Sequence, residues 1–344
     1  MTIIFTRYLY NKDEIQLTLM ECLLKQEDIE ECYYWFYEYY QSGYEEESWQ
    51  LLYKIYYDFY YLKNPKMMRK MVNKHNKWKE TKDVKLVLWV IKNLFRFNKN
   101  YTIFLLRTYY KNRNLDILDP MCLKEFGEYK SLIAAIKQKK KNAVVFHLYK
   151  NKDGGLLELV EKVLKVKIKI TRNYDITHQL LAAIIENFKI SSKKKCYYKT
   201  VMEKEVIAVL KSDEREKAVY KTLSKRRLYN ISPNIGCFNL DRDRVDLNHI
   251  FWYHWEYYAY KCPIWRKRFD KYKIKVSVDK ELIDFKDEDE YEEFYEEYNY
   301  EPDEQKKEIQ ERSTAVIEKS NIKTWINNIF NNKLAKNIRM RLTY

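Results

Sequence analysis

Glycine and proline are scarce in this chain: five of each occur among 344 residues. Glycine supplies the positive φ angles of tight turns and lets the backbone approach a bound phosphate closely. So few glycines disfavour both a glycine-rich nucleotide loop and a sandwich of many short strands. Helices joined by short connections are compatible with this composition, so we expect a mostly α fold.

Long apolar runs are also missing. No stretch of about 18 apolar residues occurs, so the sequence predicts no transmembrane helix. The first seven residues, Met1 to Arg7, lack the basic-then-apolar layout of a signal peptide. We therefore expect an intracellular protein that does not bind membranes.

The familiar catalytic motifs are absent as well. The sequence contains no Walker loop, no Gly-x-Gly-x-x-Gly and no His-Glu-x-x-His. Its six cysteines are scattered without a Cys-x-x-Cys pair, which is typical of buried thiols in an intracellular chain. We expect no enzyme activity and no cofactor.

We expect no metal site, although two groups of residues are possible metal ligands. A zinc site could draw on His249, His254 and Cys262, but their spacing matches no zinc-finger pattern. The acidic group Asp241, Asp243 and Asp246 alternates with arginines that neutralise it, and Asp246 is also placed to cap the next helix.

Aromatic residues and positive charge are what the chain has in quantity. It contains 33 tyrosines, and its formal net charge is +15. Residues 279–304 hold 14 acidic residues and two lysines, so the rest carries 63 basic against 36 acidic side chains. A basic body with an acidic appendage favours polyanionic partners such as RNA. A merely solubilising surface, combined with the Lys, Asn, Tyr and Ile bias of an AT-rich genome, is the alternative.

Apolar spacing and turn residues predict most of the helices. Two segments alternate with strand period instead, Lys165–Ile170 and Lys273–Val278, and we expect them to be short strands or extended edges on the helical body. The predicted helical segments include Asp13–Gln26 with Asp13 as its cap, Asp28 to a stop at Gly43, Glu45–Lys63, a helix capped by Thr81, Leu132–His147 interrupted by a lysine run, and His249–Tyr260.

We predict an irregular helical-repeat body of HEAT-like αα-hairpins with at most one small β ribbon. The body spans residues 1–227. A loop with an aromatic and basic helical segment follows at 228–278, then an acidic, mobile segment at 279–304 and C-terminal helices at 305–344.

Lysine and arginine clusters beside tyrosines form the candidate nucleic-acid-binding residues. Wide helix packing with hydroxyls at the rim is the competing interpretation of the aromatic faces. The candidate residues are Lys139, Lys140, Lys141, Lys193, Lys194, Lys195, Tyr197, Tyr198, Arg226, Arg227, Arg266 and Arg268.

Three stretches carry a resemblance: Tyr33–Tyr44, Leu52–Pro65 and Trp255–Trp265. Together they resemble uncharacterised proteins of giant DNA viruses of the mimivirus type, which implies a host-cytoplasmic or virion location. The helical hairpins and basic charge also look like the HEAT-type middle domain of the cap-dependent translation-initiation scaffold. That resemblance implies a helicase or a cap-binding protein as partner.

The tyrosine-to-leucine motif that docks a cap-binding protein is imperfect here. Its nearest match is Tyr101 with Leu106, and the basic Arg107 follows where the motif has an apolar residue. The sequence therefore predicts a non-enzymatic viral scaffold that binds protein partners and RNA through a basic aromatic surface. A virion structural protein, minor or internal in the capsid, is the alternative.

Overall fold

The computed structural model describes residues 3–111, 131–150, 155–189, 197–211, 230–231, 246–298, 300, 302, 307–314, 319–320 and 326. The mostly α fold is confirmed, since helices account for most of these residues. None of the described helices is long and apolar enough to cross a bilayer. The HEAT-like repeat stays a prediction.

The helices and strands follow in chain order. They are α1 (Lys12–Lys25), α2 (Ile29–Gln41), α3 (Glu45–Ile55), a π-helical turn (Tyr56–Tyr60), α4 (Met67–Thr81), α5 (Val84–Arg96), α6 (Thr102–Lys111), α7 (Leu132–Lys137), α8 (Lys141–Lys150), α9 (Leu156–Leu164), α10 (Ile176–Asn187), α11 (Glu203–Lys211), β1 (Asn230–Ile231), α12 (Leu247–Tyr253), α13 (Trp255–Tyr260), α14 (Pro263–Phe269), β2 (Ile274–Ser277), β3 (Leu282–Phe285), α15 (Glu288–Tyr298), α16 (Lys307–Thr314) and β4 (Lys319–Ser320).

The chain forms two compact units. The first combines Met1–Ser48 with Met202–Asn234 and Phe238–Tyr344, and the second combines Trp49–Val201 with Ile235–Cys237. Helix α3 therefore begins in the first unit and ends in the second.

In the first unit, α1 and α2 form an αα-hairpin. The Asp28 carboxylate accepts the Glu30 backbone N–H at 2.8 Å and caps α2, which starts where predicted. Helix α1 begins directly after Asn11 rather than being capped by Asp13, and Gln26 ends it in the left-handed conformation. The predicted limits of both helices are thus correct to about one residue.

The stop after α2 depends on Gly43. Its φ is +91°, and an added Cβ would lie only 2.6 Å from Cβ of Pro263, at the start of α14. In the same contact the Cys262 thiol donates to the Ser42 carbonyl at 3.1 Å. This turn of the first unit therefore needs glycine for its backbone angle and for the close approach of α14.

Strands β2 and β3 pair antiparallel, with Ile274 opposite Phe285, and this is the β ribbon that the 273–278 pattern predicts. A second pair is only two residues long, with Asn230 parallel to Lys319. Helix α15 follows the ribbon and anchors its buried Phe294 on Phe269, whose ring centroid is 4.5 Å away.

Strand β3 and helix α15 occupy most of the acidic segment 279–304. Acidic side chains line α15, while Phe294 stacks on Phe269 and Tyr295 contacts the ring of Trp255. Aromatic positions within the acidic run thus provide packing for the helix, and the mobility of the segment stays a prediction.

In the second unit, the predicted helix Glu45–Lys63 is α-helical only as far as Ile55. The next turn is π-helical, with the Tyr61 N–H donating to the Tyr56 carbonyl at 2.8 Å. The turn carries the fully buried Asp58, whose carboxylate contacts Arg107 of α6 and His178 of α10. A charged group thus links three helical segments inside this unit.

Helices α4 and α5 form the next hairpin. The prediction that Thr81 caps α5 is wrong: Thr81 is the last residue of α4, and its hydroxyl donates to the Lys77 carbonyl at 3.0 Å. Asp83 is the cap instead and accepts the Lys85 N–H at 2.9 Å. Both residue types favour caps, and the extended backbone of Asp83 places it correctly.

Residues Lys165–Ile170 do not form the predicted strand. The Ile168 N–H donates to the Glu161 carboxylate of α9 at 2.7 Å, and Lys167 lies 3.1 Å from the same carboxylate. Of the two predicted alternatives, the strand is therefore not formed, and the segment lies as an edge on α9.

The predicted interruption of Leu132–His147 at the lysine run is confirmed: the segment forms α7 and α8, and Lys139 between them has a φ of 56°. The other long predicted helix is also divided. His249–Tyr260 becomes α12 and α13, with a break at His254.

Candidate nucleic-acid interface

Helix α4 of the second unit has an apolar face and, beside it, a basic face. Met67, Met71, His75 and Trp78 are fully buried, and their spacing of four, four and three places them on one side. Lys70, Lys74 and Lys77 repeat with the same period on another side. The apolar face fixes the helix against the core and leaves the lysines as a stripe along it.

The lysine stripe rests on two aromatic rings of the same unit. The Nζ of Lys70 lies 4.7 Å from the ring centroid of Tyr198, and the Nζ of Lys74 lies 4.4 Å from that of Trp89. The two rings stack on each other with centroids 5.5 Å apart and an interplanar angle of 15°. Cation–π contacts of this kind hold the ammonium groups in place without neutralising them. We call Lys70, Lys74, Lys77, Trp89 and Tyr198 the basic–aromatic face.

The segment that carries Tyr198 is held on α5 mainly by the side chain of Asn93. The Asn93 Oδ1 accepts the Lys199 N–H at 2.9 Å, and its Nδ2 donates to the Lys199 carbonyl at 3.0 Å and to the Trp89 carbonyl at 2.8 Å. Lys92 adds a bond from its Nζ to the Thr200 carbonyl at 3.0 Å. Asn93 therefore satisfies the backbone N–H and carbonyl of Lys199, as a neighbouring strand would do in a sheet.

Positive charges on the basic–aromatic face repel one another. Burial lowers the pKa of the Lys74 ammonium, and the nearby Lys77 and Lys70 lower it further. Like charges this close destabilise each other's charged forms, so an anion placed over the stripe relieves the repulsion. The electrostatics of this face thus favour a phosphate-bearing ligand.

Tyr197 contributes the accessible ring. Its side chain is 77% exposed, whereas Trp89 is 9% exposed. Since Trp89 and Tyr198 stack on each other and lie under lysines, Tyr197 offers the ring face that an unpaired base can stack on.

Two of the sequence-predicted residues, Tyr197 and Tyr198, belong to this region. Lys139, Lys140 and Lys141 lie instead at the α7–α8 connection of the same unit. Lys193, Lys194 and Lys195, and Arg226 with Arg227, lie outside the described residues, and so do Asp241 and Asp243.

Arg266 and Arg268 belong to the first unit, on α14. Arg266 is exposed, with its guanidinium carbon 5.3 Å from the ring centroid of Tyr260. Arg268 is half-buried, and its guanidinium lies 4.4 Å from the ring centroid of Trp265 and 5.0 Å from that of Tyr298. Arg268 thus packs among aromatic rings of its own unit.

Sequence reasoning missed Lys70, Lys74 and Lys77. Their spacing of four and three residues was a usable signal, because it places three charges on one side of any helix. The contact with Tyr198 had no such signal, since more than a hundred residues separate the two partners.

Among the described residues, no group of three or more His, Cys, Asp or Glu side chains could hold a metal ion. Cys262 does not join His249 and His254 as ligand: it is buried against Ser42, and burial raises the pKa of its thiol to about 11. Asp246 caps α12, accepting the backbone N–H groups of Asn248 and His249 as expected.

Comparisons with protein-family models, with curated proteins and with solved structures found no match.

Proposed function

We propose that this chain is a non-enzymatic helical scaffold that binds single-stranded RNA through the basic–aromatic face. The placement of Lys70 and Lys74 over the stacked rings of Tyr198 and Trp89 carries the proposal, because it sets positive charge beside aromatic rings on one side of α4. Stacking on Tyr197 adds a preference for unpaired bases.

The backbone of the RNA provides most of the affinity in this proposal. Three lysines along about two helical turns match successive phosphates, and they read no base edges. Binding is therefore sequence-tolerant and strongly dependent on salt.

The test is a salt titration of binding to a labelled uridine 20-mer, followed by fluorescence anisotropy. The variant Lys70→Gln/Lys74→Gln/Lys77→Gln removes the three charges from the stripe. For single strands, each lost phosphate contact makes the negative slope of log K against log salt shallower by about 0.7. The magnitude of the slope should therefore decrease by about 2 in the triple variant.

A matched control removes three charges elsewhere. Lys162→Gln/Lys169→Gln/Lys204→Gln changes three exposed lysines on or near α9 and α11. Equal losses of affinity in both triple variants would show that only the net charge matters. An unchanged affinity in the α4 variant would show that the basic–aromatic face does not bind RNA.

The scaffold role extends the proposal to protein partners, with a helicase or cap-binding protein predicted from the resemblance. Tagged full-length chain, expressed in infected or uninfected host cells, tests it by co-purification. Mass spectrometry of purified virions tests the virion structural alternative. A high copy number of the chain in the particles favours that alternative over the scaffold role.

A further inference from the structure

The break between α12 and α13 in the first unit brings two imidazoles together. The Nε2 atoms of His249 and His254 lie 3.2 Å apart, and their ring centroids are 4.8 Å apart at an interplanar angle of 71°. His249 is exposed and His254 half-buried, so the pair is open to solvent on the His249 side.

The backbone positions both rings. Asp246 accepts the His249 N–H as part of the cap of α12, and His254 sits at the junction of the helices with a φ of −140°. A continuous helix places residues five apart on different faces. The break is therefore what lets the two imidazoles converge.

Hydrogen bonding fixes which His254 nitrogen carries the lone pair. Nδ1 of His254 lies 3.0 Å from the Glu281 carbonyl oxygen, which can only accept. Nδ1 therefore donates a proton, and neutral His254 presents the Nε2 lone pair toward His249. Metal-binding histidines commonly donate their second nitrogen to a carbonyl in this way, which orients the ring.

From this geometry we infer that His249 and His254 form a two-imidazole site for a divalent transition-metal ion, Zn²⁺ in particular. Zinc binds imidazole nitrogen at about 2.0–2.1 Å, so two nitrogens in tetrahedral positions lie roughly 3.3–3.4 Å apart. A right-angled arrangement in square-planar coordination brings them to roughly 2.9 Å. The observed 3.2 Å is closer to the tetrahedral value, and water completes the coordination.

The ion links α12, α13 and, through Glu281, the turn between β2 and β3. Tyr258 reinforces this link, because its hydroxyl donates to the Glu281 carboxylate at 2.8 Å. Zinc binding is therefore expected to raise the midpoint of thermal unfolding of the chain.

Calorimetric titration of the full chain with Zn²⁺ at pH 7.5 tests the site, with Mg²⁺ as the ion that imidazole ligands do not favour. His249→Ala and His254→Ala should each weaken zinc binding at least tenfold, since even outer-shell changes cost about 10- to 100-fold. His147→Ala, at a histidine of α8, is the control and should bind as the unaltered chain does.

The variant at the exposed imidazole decides the inference. If His249→Ala keeps the affinity and the thermal shift of the unaltered chain, the close approach is an imidazole hydrogen bond only and the site is overturned. His249 is exposed, so this variant decides the matter even if His254→Ala disturbs folding.

Discussion

Arg107 holds Asp58 with two parallel hydrogen bonds inside the second unit. Its Nε donates to one carboxylate oxygen at 2.8 Å and its Nη2 to the other at 2.7 Å. Both side chains are almost fully buried. The pair joins α6 to the π-helical turn, and its energetics follow from its burial.

Removing one partner of this pair is expected to be severe. Arg107→Met leaves the Asp58 carboxylate buried without its main counter-charge, which typically costs about 3–5 kcal/mol of unfolding free energy. Asp58→Leu/Arg107→Met removes both charges and should be less destabilised than Arg107→Met alone. Urea unfolding followed by circular dichroism measures both variants.

The surface pair Lys271–Glu297 is the control for this prediction. Its atoms approach to 2.6 Å, but both side chains are about half exposed. Lys271→Ala should therefore cost much less stability than Arg107→Met. A cost for Arg107→Met as small as this would contradict the argument that burial sets the energy.

Acid should destabilise the chain through the same cluster. Burial lowers the pKa of His178, which lies 3.1 Å from Asp58 and shares a hydrogen bond with the Tyr174 hydroxyl at 2.7 Å. A lowered pKa means that the unfolded chain binds the proton more readily below about pH 6.5. Stability contributed by neutral His178 is thus present above that pH and is lost as the pH falls.

Asp58 adds to the loss at lower pH. Burial opposes its charge, but Arg107 and then His178 outweigh burial and hold the pKa of the carboxyl well below its usual range. The contribution of Asp58 to the free energy of unfolding is therefore present above its unfolded pKa of about 3.9 and declines below that pH.

The His178 contribution is tested at higher pH. Urea midpoints of the unaltered chain should decrease from pH 7.5 to 5, and His178→Gln should flatten this decrease. An equally steep decrease in that variant would assign the effect to other groups.

Gly43 and Gly155 provide a matched pair of glycines. Gly43→Ala forces a side chain into a φ of +91° and against Pro263, so we expect a loss of about 1–3 kcal/mol. Gly155 has a φ of −88° and open space around the added Cβ, so Gly155→Ala should stay within about 0.5 kcal/mol. Thermal unfolding of the two variants measures the difference, and equal losses would refute the steric account.

Local chemistry was partly predictable from this sequence, and long-range contacts were not. Gly43 stops α2 and Asp246 caps α12 as expected, because stops and caps depend on neighbouring residues. The cap expected at Thr81 lies instead at Asp83, a nearby residue that also favours caps. The basic–aromatic face depends on how α4 packs beside residues 197–200, and no spacing rule joins these segments. The convergence of His249 and His254 requires a helix break that the aromatic pattern conceals.

Asn93 allows a test of whether residues 197–200 contribute to the proposed RNA binding. Asn93→Ala leaves the N–H and carbonyl of Lys199 without their side-chain partner, and we expect a cost of about 1–3 kcal/mol. Tyr197→Ala should leave stability unchanged, since the ring is mostly exposed, but lose about 1–3 kcal/mol of RNA binding through stacking. If residues 197–200 help bind RNA, Asn93→Ala must weaken anisotropy-measured binding together with stability, whereas Tyr197→Ala weakens binding alone. Retained RNA affinity in both variants would separate this segment from the interface and leave the α4 lysines to act without it.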